Sequence, residues 1–263
     1  MLLKKGDPTM VEVVPGRGPD LAWPLGPVAH RGLHDLERGG IENTMSAFEA
    51  AIAKGYAIEL DVQAALGEEP VVFHDENLDR LTQASGPVAA HTPQELARLA
   101  FRQSADHIPT LTEVLDLIAG RVPVYIEVKT MFGSPGAFEV KIAERVRGYL
   151  GPLALMSFDH DAMIVLRGLA PKVPRGMISY RWDDTWMPQV PTAQRARLRD
   201  LTAHAVVAPS FIAYDIDDLP ETAPLDLKRQ LGIPLLTWTV RTPEQRHRAA
   251  QYADAIIFEG FEP

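Results

Sequence analysis

Ionisable residues stand at the ends of three successive strand-like segments of this 263-residue chain. They form three pairs: His30 and Arg31, Glu59 and Asp61, and Glu127 and Lys129. In the second and third pairs the members are two residues apart, so in a strand both side chains point to one face. A carboxylate inside an apolar sheet is costly unless it is paired or bound to a metal. A strand-end salt bridge explains any one pair, but three carboxylates together favour a shared binding site.

The residue types in this set suit a reaction at a phosphate ester. Three carboxylates in a chain without cysteine favour a hard divalent cation, Mg²⁺ or Ca²⁺, over zinc. His30 and His74 offer two imidazoles for general acid and base catalysis near neutral pH. Arg31 and Lys129 offer positive charge for an anionic oxygen. The pattern therefore indicates a metal-assisted attack on phosphorus, with one imidazole deprotonating the nucleophile and the other protonating the leaving alcohol.

The segments that carry these residues belong to a repeating pattern of strands and helices. Strands are predicted at 28–31, 57–62, 124–129, 153–158, 175–179, 205–209, 234–240 and 254–258. Helices are predicted at 44–54, 111–119, 136–150, 160–170, 193–205, 225–232 and 243–253. Eight apolar strands alternating with helices over about 250 residues predict a (β/α)8 TIM barrel, in which catalytic groups stand at the carboxyl ends of the strands.

One segment departs from this alternation. Only eight residues separate Val62 from Val71, whereas a parallel crossover needs a dozen or more. The run PVVFH should therefore return antiparallel, as the second arm of a β-hairpin that places His74 near the barrel rim. Residues 75–110 are then an insertion over the active-site face, residues 27–263 form the barrel domain, and residues 1–26 form an N-terminal extension.

Composition limits the classes of partner. The chain is 46% hydrophobic, has no apolar run long enough to cross a bilayer, and begins without the apolar core of a signal peptide. We therefore expect a cytoplasmic protein without stable membrane insertion. A formal net charge of −9 argues against nucleic acid as a partner, although a small anionic substrate remains compatible with it. The oligomeric state is left open.

Two polar residues ahead of the first helix have a structural explanation. Asn43 or Thr44 supplies a side-chain oxygen suited to capping the helix that follows. We interpret both as capping residues rather than as part of the site. Six other histidines lie in loops or helices without ligand-like spacing, and we interpret them as surface residues: His34, His91, His107, His160, His204 and His247.

The combined motifs are similar to those of the glycerophosphodiester phosphodiesterase family. The resemblance spans roughly residues 28 to 258 and is carried by AHRGLHD, IENTMSAFEAAIAKGY, IELDVQ, PVVFHDENLDRLT, IPTLTEVLDLI, YIEVKT, LMSF and LTWTV, in this order. It implies a TIM barrel with a small insertion after the second strand. It also implies three sets of site residues: metal ligands Glu59, Asp61 and Glu127; the acid and base His30 and His74; and substrate contacts Arg31, Lys129, Glu42 and Trp238. For Trp238, a role in the barrel core explains the residue equally well.

Some positions depart from the family pattern. Ile41 stands where proline is common, and Arg241 follows LTWTV where asparagine is usual. The last strand runs into Glu259 where the family commonly has Thr-Asp. These departures bear on head-group preference more than on the reaction, and we interpret Arg241 as a surface charge that leads a helix.

The resemblance implies metal-dependent hydrolysis of glycerophosphodiesters to an alcohol and glycerol 3-phosphate, in phospholipid breakdown. A lysophospholipase D, or a lipid phosphodiesterase that releases a cyclic phosphate, is the alternative within the same chemistry. A barrel that has lost catalysis and only binds is a third possibility. It would be marked by loss of a histidine or carboxylate of the site, and the chain retains all five.

Overall fold

Eight parallel strands close into a barrel in the structure, a computed structural model that describes residues 16–35, 40–130, 132–133, 135–183, 187 and 190–263. The strands found there are β1 (Val28–Ala29), β2 (Ala57–Ala64), β3 (Pro70–Val72), β4 (Val124–Val128), β5 (Leu153–Ser157), β6 (Arg175–Ser179), β7 (Phe211–Asp215), β8 (Leu235–Val240) and β9 (Ala255–Phe258). Because β1 pairs with both β2 and β9, the ring is closed. The predicted TIM barrel is therefore confirmed.

The ninth strand lies outside the ring. β3 pairs antiparallel with β2, with Val62 opposite Val72 and Ala64 opposite Pro70. The short connection turns through Gly67 and Glu68, both with positive φ. The predicted hairpin is thus present, and β3 leads directly into His74.

Helices surround the barrel, with a short one in the insertion. They are α1 (Met45–Lys54), α2 (Pro93–Leu96), α3 (Leu111–Ile118), α4 (Ala137–Arg147), α5 (His160–Leu169), α6 (Thr192–Arg199), α7 (His204–Val207), α8 (Thr222–Leu231) and α9 (Pro243–Tyr252). Thr44 accepts a hydrogen bond from the Ala47 N–H at the start of α1, and Gly55 ends this helix with φ 73°. None of the helices in the described ranges has both the length and the apolar character to span a membrane.

The strand prediction at 205–209 is wrong. Residues 204–207 form α7, and the sixth barrel strand is β7, which pairs with β6 and β8. The predicted helix at 193–205 accordingly divides into α6 and α7. A short run such as AVVA has no decisive period, and in the structure Val207 is fully buried as a helical residue.

Among the described residues, the hydrophobic core has three parts. One cluster fills the space between the strands and the helices and includes Ile58, Leu60 and Val62 of β2. A second fills the barrel interior, where the rings of Tyr125 and Phe211 meet edge to face at 5.5 Å. A third belongs to the insertion and the hairpin. The insertion thus has its own apolar support beside the barrel mouth.

The described part of the predicted N-terminal extension packs on the barrel. The Gly18 N–H donates to the Pro209 carbonyl at 3.0 Å, and the Trp23 indole donates to the Tyr125 hydroxyl at 3.0 Å. The prediction of an extension and a barrel domain, with a boundary near residue 26, stays a prediction. Residues 1–15 lie outside the described ranges.

Candidate active site

Strand alternation determines which side chains enter the barrel. On β2 the buried apolar residues 58, 60 and 62 pack toward the helices, so Glu59 and Asp61 point inward. The same alternation applies to β4, where Tyr125 belongs to the interior cluster and Glu127 follows it by two residues. The predicted carboxylates are therefore the inward-facing residues near the carboxyl ends of neighbouring strands, where this fold places its active sites.

The three predicted metal ligands lie together. Asp61 and Glu127 are register partners on β2 and β4. Glu59, Asp61 and Glu127 each offer a ligand oxygen, and these atoms lie within 4.8 Å of one another. Glu59 and Asp61 are each only 1% exposed. The two-residue spacing places Glu59 and Asp61 on one face of β2, and the pairing of β2 with β4 places Glu127 beside them.

The electrostatics of this cluster are unbalanced. Burial, with Asp61 and Glu127 as neighbours, raises the pKa of Glu59 well above its ordinary value. The Lys129 ammonium lies 2.7 Å from Glu127 and 3.1 Å from Asp61. The pKa of Asp61 is far below its ordinary value because Lys129 and Arg31 outweigh the effect of burial. The positive side chains therefore stabilise the charge of Asp61 but leave Glu59 poorly compensated.

This donor set fits a divalent cation. All three donors are carboxylates, the ligands that Mg²⁺ and Ca²⁺ prefer. The buried Oδ1 of Asp61 has the Lys129 ammonium nearby but no hydrogen-bond partner among the described residues. A buried acceptor without such a partner costs free energy unless another cation or donor completes its contacts. The raised pKa of Glu59 points the same way, because a cation at this place would stabilise its ionised form.

A tight turn after β1 joins the first histidine to this cluster. Arg31 has φ 57°, and its backbone N–H donates to Oε2 of Glu59 at 3.0 Å. Gly32 has φ 82°, and a Cβ at this residue would lie 2.9 Å from Ala47 of α1. The glycine is therefore required by both its conformation and its packing. The sequence His-Arg-Gly thus holds the backbone of Arg31 against a predicted metal ligand.

His30 is buried between two carboxylates. Its Nδ1 lies 2.8 Å from Oε2 of Glu259, and its Nε2 lies 4.0 Å from Oε2 of Glu59. Burial lowers the pKa of His30 to about 4. Burial would raise the pKa of Glu259, but the hydrogen bond with His30 and the nearby Arg241 guanidinium outweigh it and lower this pKa to about 2. At neutral pH we therefore take His30 as a neutral imidazole whose proton is on Nδ1. This N–H donates a hydrogen bond to ionised Glu259. This leaves the lone pair on Nε2.

Arg241 is the second partner of Glu259. Its guanidinium donates to Oε2 of Glu259 at 2.9 Å, and the residue also lines the barrel mouth. Arg241 does stand just before α9 and is largely exposed, as expected for a helix-leading surface charge. The interpretation as a surface charge alone is nevertheless incomplete, because this side chain also holds the carboxylate that contacts His30.

His74 lies at the head of a chain of ion pairs. Its Nδ1 lies 2.7 Å from Oδ1 of Asp75, which also contacts the Arg80 guanidinium. Arg80 in turn donates two hydrogen bonds to Glu42, at 2.7 and 2.9 Å. Glu42 accepts a further bond from Arg31 at 2.7 Å and is only 5% exposed. Both histidines therefore have a carboxylate at Nδ1. The carboxylate of Glu42 accepts hydrogen bonds from two guanidinium groups, those of Arg31 and Arg80.

Asn43 is a site residue that the capping interpretation missed. Thr44 is the cap of α1, whereas the Asn43 amide donates to Oδ2 of Asp61 at 2.8 Å. The amide oxygen of Asn43 accepts from the Asp61 N–H at 3.2 Å. Asn43 therefore orients a predicted metal ligand. Its signal in the sequence is weak, because asparagine before a helix is common for local reasons.

One cavity of about 990 Å³ opens at the barrel mouth. His30, His74, Arg31, Lys129 and Glu127 line it, as does Trp238. The Trp238 ring meets Phe158 edge to face at 5.3 Å. The structure thus brings the predicted catalytic and phosphate-contact residues to one cavity. Glu59 and Asp61 lie buried beneath it in the wall.

Asp215 is a second residue that sequence patterns missed. It ends β7, lines the same cavity, and was hidden by the misplaced sixth strand. Its Oδ1 accepts the N–H of Asp217 at 2.8 Å. Burial is the main cause that raises the pKa of Asp215 to about 6, and neighbouring Asp217 and Asp218 add to this effect.

We expect Asp215→Asn to raise the free energy of unfolding at pH 7.5. The folded pKa lies above the unfolded one, so ionisation of Asp215 destabilises the folded protein above pH 6. The amide can still accept from the Asp217 N–H. Urea unfolding at several pH values checks this: the gain should shrink as pH falls from 6 toward 4. A gain that is constant across this range would contradict the assignment.

Comparison with known proteins connects this geometry to a family. Residues 30–259 match the model of the glycerophosphoryl diester phosphodiesterase family. A glycerophosphodiester phosphodiesterase of Bacillus subtilis (strain 168) is 27% identical over 257 residues, which cover 89% of this chain and 83% of that protein.

Solved structures agree on the architecture. The crystal structure of a glycerophosphodiester phosphodiesterase from Agrobacterium tumefaciens (strain C58) has a TM-score of 0.66 at 27% identity, covering 89% of this chain and 96% of that one. An Oleispira antarctica phosphodiesterase was solved in complex with the product sn-glycerol-3-phosphate. It has a TM-score of 0.70 at 21% identity, and the match covers 89% of this chain and 92% of that one. The family match over nearly the whole barrel confirms the resemblance, and this chain belongs to the glycerophosphoryl diester phosphodiesterase family of phosphoric diester hydrolases.

Proposed function

We propose that the protein hydrolyses glycerophosphodiesters to an alcohol and glycerol 3-phosphate, using one divalent cation, Mg²⁺ or Ca²⁺, and the acid-base pair His30 and His74. The observation that carries this proposal is the convergence of two imidazoles, each with a carboxylate at Nδ1, beside a three-carboxylate cluster at one barrel mouth. Family membership supports the same reaction. Residues 27–263 form the catalytic domain in this proposal.

The divalent cation would be held by Glu59, Asp61 and Glu127. When bound, it supplies electrostatic stabilisation of the negative charge that develops on the phosphoryl oxygens. Asn43 and the backbone N–H of Arg31 orient two of these carboxylates by hydrogen bonds. Such supporting contacts fix the direction of ligand oxygens before the cation arrives.

His30 is the better general base of the two histidines. Its neutral form donates from Nδ1 to Glu259 and keeps a lone pair on Nε2. That nitrogen can accept the proton of the attacking hydroxyl, either a glycerol hydroxyl of the substrate or water. A hydroxyl of the substrate itself is held near phosphorus, which favours attack on entropic grounds. Its attack expels the alcohol and leaves a cyclic phosphate, which water must then open to give glycerol 3-phosphate, whereas direct attack by water gives glycerol 3-phosphate in one step.

His74 is then the general acid. Asp75 lies 2.7 Å from its Nδ1 and orients the ring, so that a proton on Nε2 can pass to the leaving alcohol. Arg31 and Lys129 line the same cavity and provide positive charge next to the phosphate. In this proposal Glu42 acts on substrate indirectly, because it holds the guanidinium of Arg31.

We expect Glu259→Gln to lower kcat by about 10- to 100-fold, by analogy with the loss of a partner that orients a metal-ligating histidine. A glutamine can accept the same hydrogen bond, but it cannot stabilise a positive charge on His30 after proton transfer. Steady-state kinetics check this, with Glu262→Gln as a matched change near the same end of the chain. The contacts of Glu262 are with Lys54, away from the cavity. An unchanged kcat in Glu259→Gln would remove Glu259 from the mechanism.

The proposed reaction is tested by following sn-glycero-3-phosphoglycerol with phosphorus NMR in the presence of Mg²⁺ or Ca²⁺. The expected result is loss of the diester signal and growth of one monoester signal, glycerol 3-phosphate, together with free glycerol. A cyclic phosphate that persists would support the cyclising alternative instead. Absence of any turnover with either ion would overturn the proposal.

A further inference from the structure

The cavity has a second wall opposite the carboxylate cluster. The ring order is β1, β2, β4, β5, β6, β7, β8 and β9, so β7 stands four strands from β2 in either direction. Asp215 ends β7, whereas Glu59 and Asp61 lie on β2. The cavity thus offers a phosphodiester at the carboxylate cluster room to extend one of its two substituents toward Asp215.

Asp215 faces this cavity without an ion-pair partner among the described residues, and the one positive charge that acts on it, Arg241, does so from a distance. In the ranges that the structure describes, its one hydrogen-bond donor is the Asp217 N–H, and no Lys, Arg or His forms an ion pair with it. The cationic side chains that line the cavity have other carboxylate partners: Arg31 pairs with Glu42, Lys129 with Glu127, and Arg241 with Glu259. Burial, with Asp218 and Asp217 as neighbours, raises the pKa of Asp215 to about 6, and Arg241 offsets this effect only in part.

An aromatic surface adjoins this carboxylate. Asp215 and Trp238 are register partners on β7 and β8, and both line the cavity. Phe158 also lines it and meets the Trp238 ring edge to face at 5.3 Å. The face of an indole attracts an organic cation, and this attraction is stronger where water is excluded. A carboxylate beside an aromatic ring is a combination suited to an alkylammonium group.

We propose that Asp215 and Trp238 form a subsite for a cationic head group, so that the preferred substrates are glycerophosphodiesters of an alkylammonium alcohol such as choline or ethanolamine. This inference rests on the proposed hydrolysis and adds the class of head group. A quaternary ammonium has no N–H to donate, so charge and ring contact are the means of its recognition. Carboxylates also outnumber Lys and Arg among the described cavity-lining residues, which disfavours an anionic head group.

The test compares kcat/KM for sn-glycero-3-phosphocholine with that for the uncharged-head-group analogue sn-glycero-3-phosphoglycerol. We expect the wild type to favour the choline substrate, and Asp215→Asn to reduce the ratio of the two values about tenfold. The control is Asp218→Asn, which removes a charge from the same loop. Asp218 pairs with Arg181 at 3.2 Å, and we expect the ratio to stay at the wild-type value.

A second measurement uses a probe that does not react. Choline chloride should inhibit hydrolysis of sn-glycero-3-phosphoglycerol by the wild type more strongly than 3,3-dimethylbutan-1-ol, which has the same shape without the charge. The difference between the two probes should disappear in Asp215→Asn, whose fold is checked by its urea unfolding.

The outcomes separate this inference from the reaction on which it rests. If the wild type hydrolyses neither diester, the proposed function itself fails. If it hydrolyses both and Asp215→Asn leaves the ratio unchanged or lowers both rates equally, the cationic subsite is overturned. Equal inhibition by choline and its uncharged analogue would overturn it as well.

Discussion

Replacing His74 with alanine is expected to lower kcat for a glycerophosphodiester by about 10²- to 10⁴-fold, the usual contribution of one general acid or base. The reason is that the leaving alcohol would depart without the proton that the imidazole supplies. The protein should stay folded, because Arg80 still bonds to Asp75 and Glu42 when the imidazole is removed. Steady-state kinetics measure the effect, and circular dichroism confirms the fold.

The matched control for this variant is His247→Ala. His247 is an exposed residue of α9, and we expect its removal to leave kcat unchanged. A rate of His74→Ala within a factor of about two of the wild type would contradict the assignment of His74 as the acid. Both variants lose one imidazole. A large difference in kcat between them therefore reports the position of His74 and not a general effect of losing a histidine.

Replacing Glu59 with glutamine is expected to have the second large effect, on cation binding and turnover together. In the wild type, Mg²⁺ or Ca²⁺ should raise Tm, because a ligand that binds only the folded state stabilises it, by about 2.7 kcal/mol at a hundredfold excess over Kd. In Glu59→Gln this rise should disappear, and kcat should fall by about 10³-fold, in the range attributed to one strong electrostatic contact in the transition state.

For the cation-free protein we expect the same variant to raise Tm instead of lowering it relative to the wild type. Burial raises the folded pKa of Glu59 above its unfolded value, so the ionised form destabilises the fold at neutral pH. Without added cation, Glu59→Gln should therefore unfold at a higher temperature than the wild type. Asp116→Asn, an exposed carboxylate of α3, is the control and should keep the cation-dependent rise in Tm. A normal rise in Glu59→Gln would place the cation elsewhere.

The sequence predicted those parts of the site that follow from strand period. A spacing of two places Glu59 and Asp61 on one face, and the apolar residues around them identify that face as the barrel interior. The hairpin was predictable for a similar reason, since eight residues between Val62 and Val71 are too few for a parallel crossover. The geometry of a strand and the length of the segment between two strands were sufficient to predict these features.

Contacts between distant segments could not be predicted in the same way. Asn43 has the side chain of a helix cap, and only the folded chain shows that it bonds to Asp61. Arg80 lies in the insertion, and its contact with Glu42 depends on the path of that loop. Neither residue has a spacing that distinguishes a site residue from a surface residue.

The misplaced strand had a consequence for the site. AVVAP and FIAYD are both short apolar runs, and their periods do not separate helix from strand. Assigning the strand to the first run left Asp215 outside any predicted element. In the structure this residue ends a barrel strand and faces the cavity. An error of six residues in one strand therefore concealed the residue on which the proposed head-group preference depends.

The central claim is that a cation held by Glu59, Asp61 and Glu127 is required for phosphodiester hydrolysis. Its most direct test is the rate of sn-glycero-3-phosphocholine hydrolysis after EDTA treatment and after restoring Mg²⁺ or Ca²⁺. We predict that chelation abolishes release of choline and glycerol 3-phosphate and that one of the two ions restores it. Full activity in excess EDTA would contradict the claim.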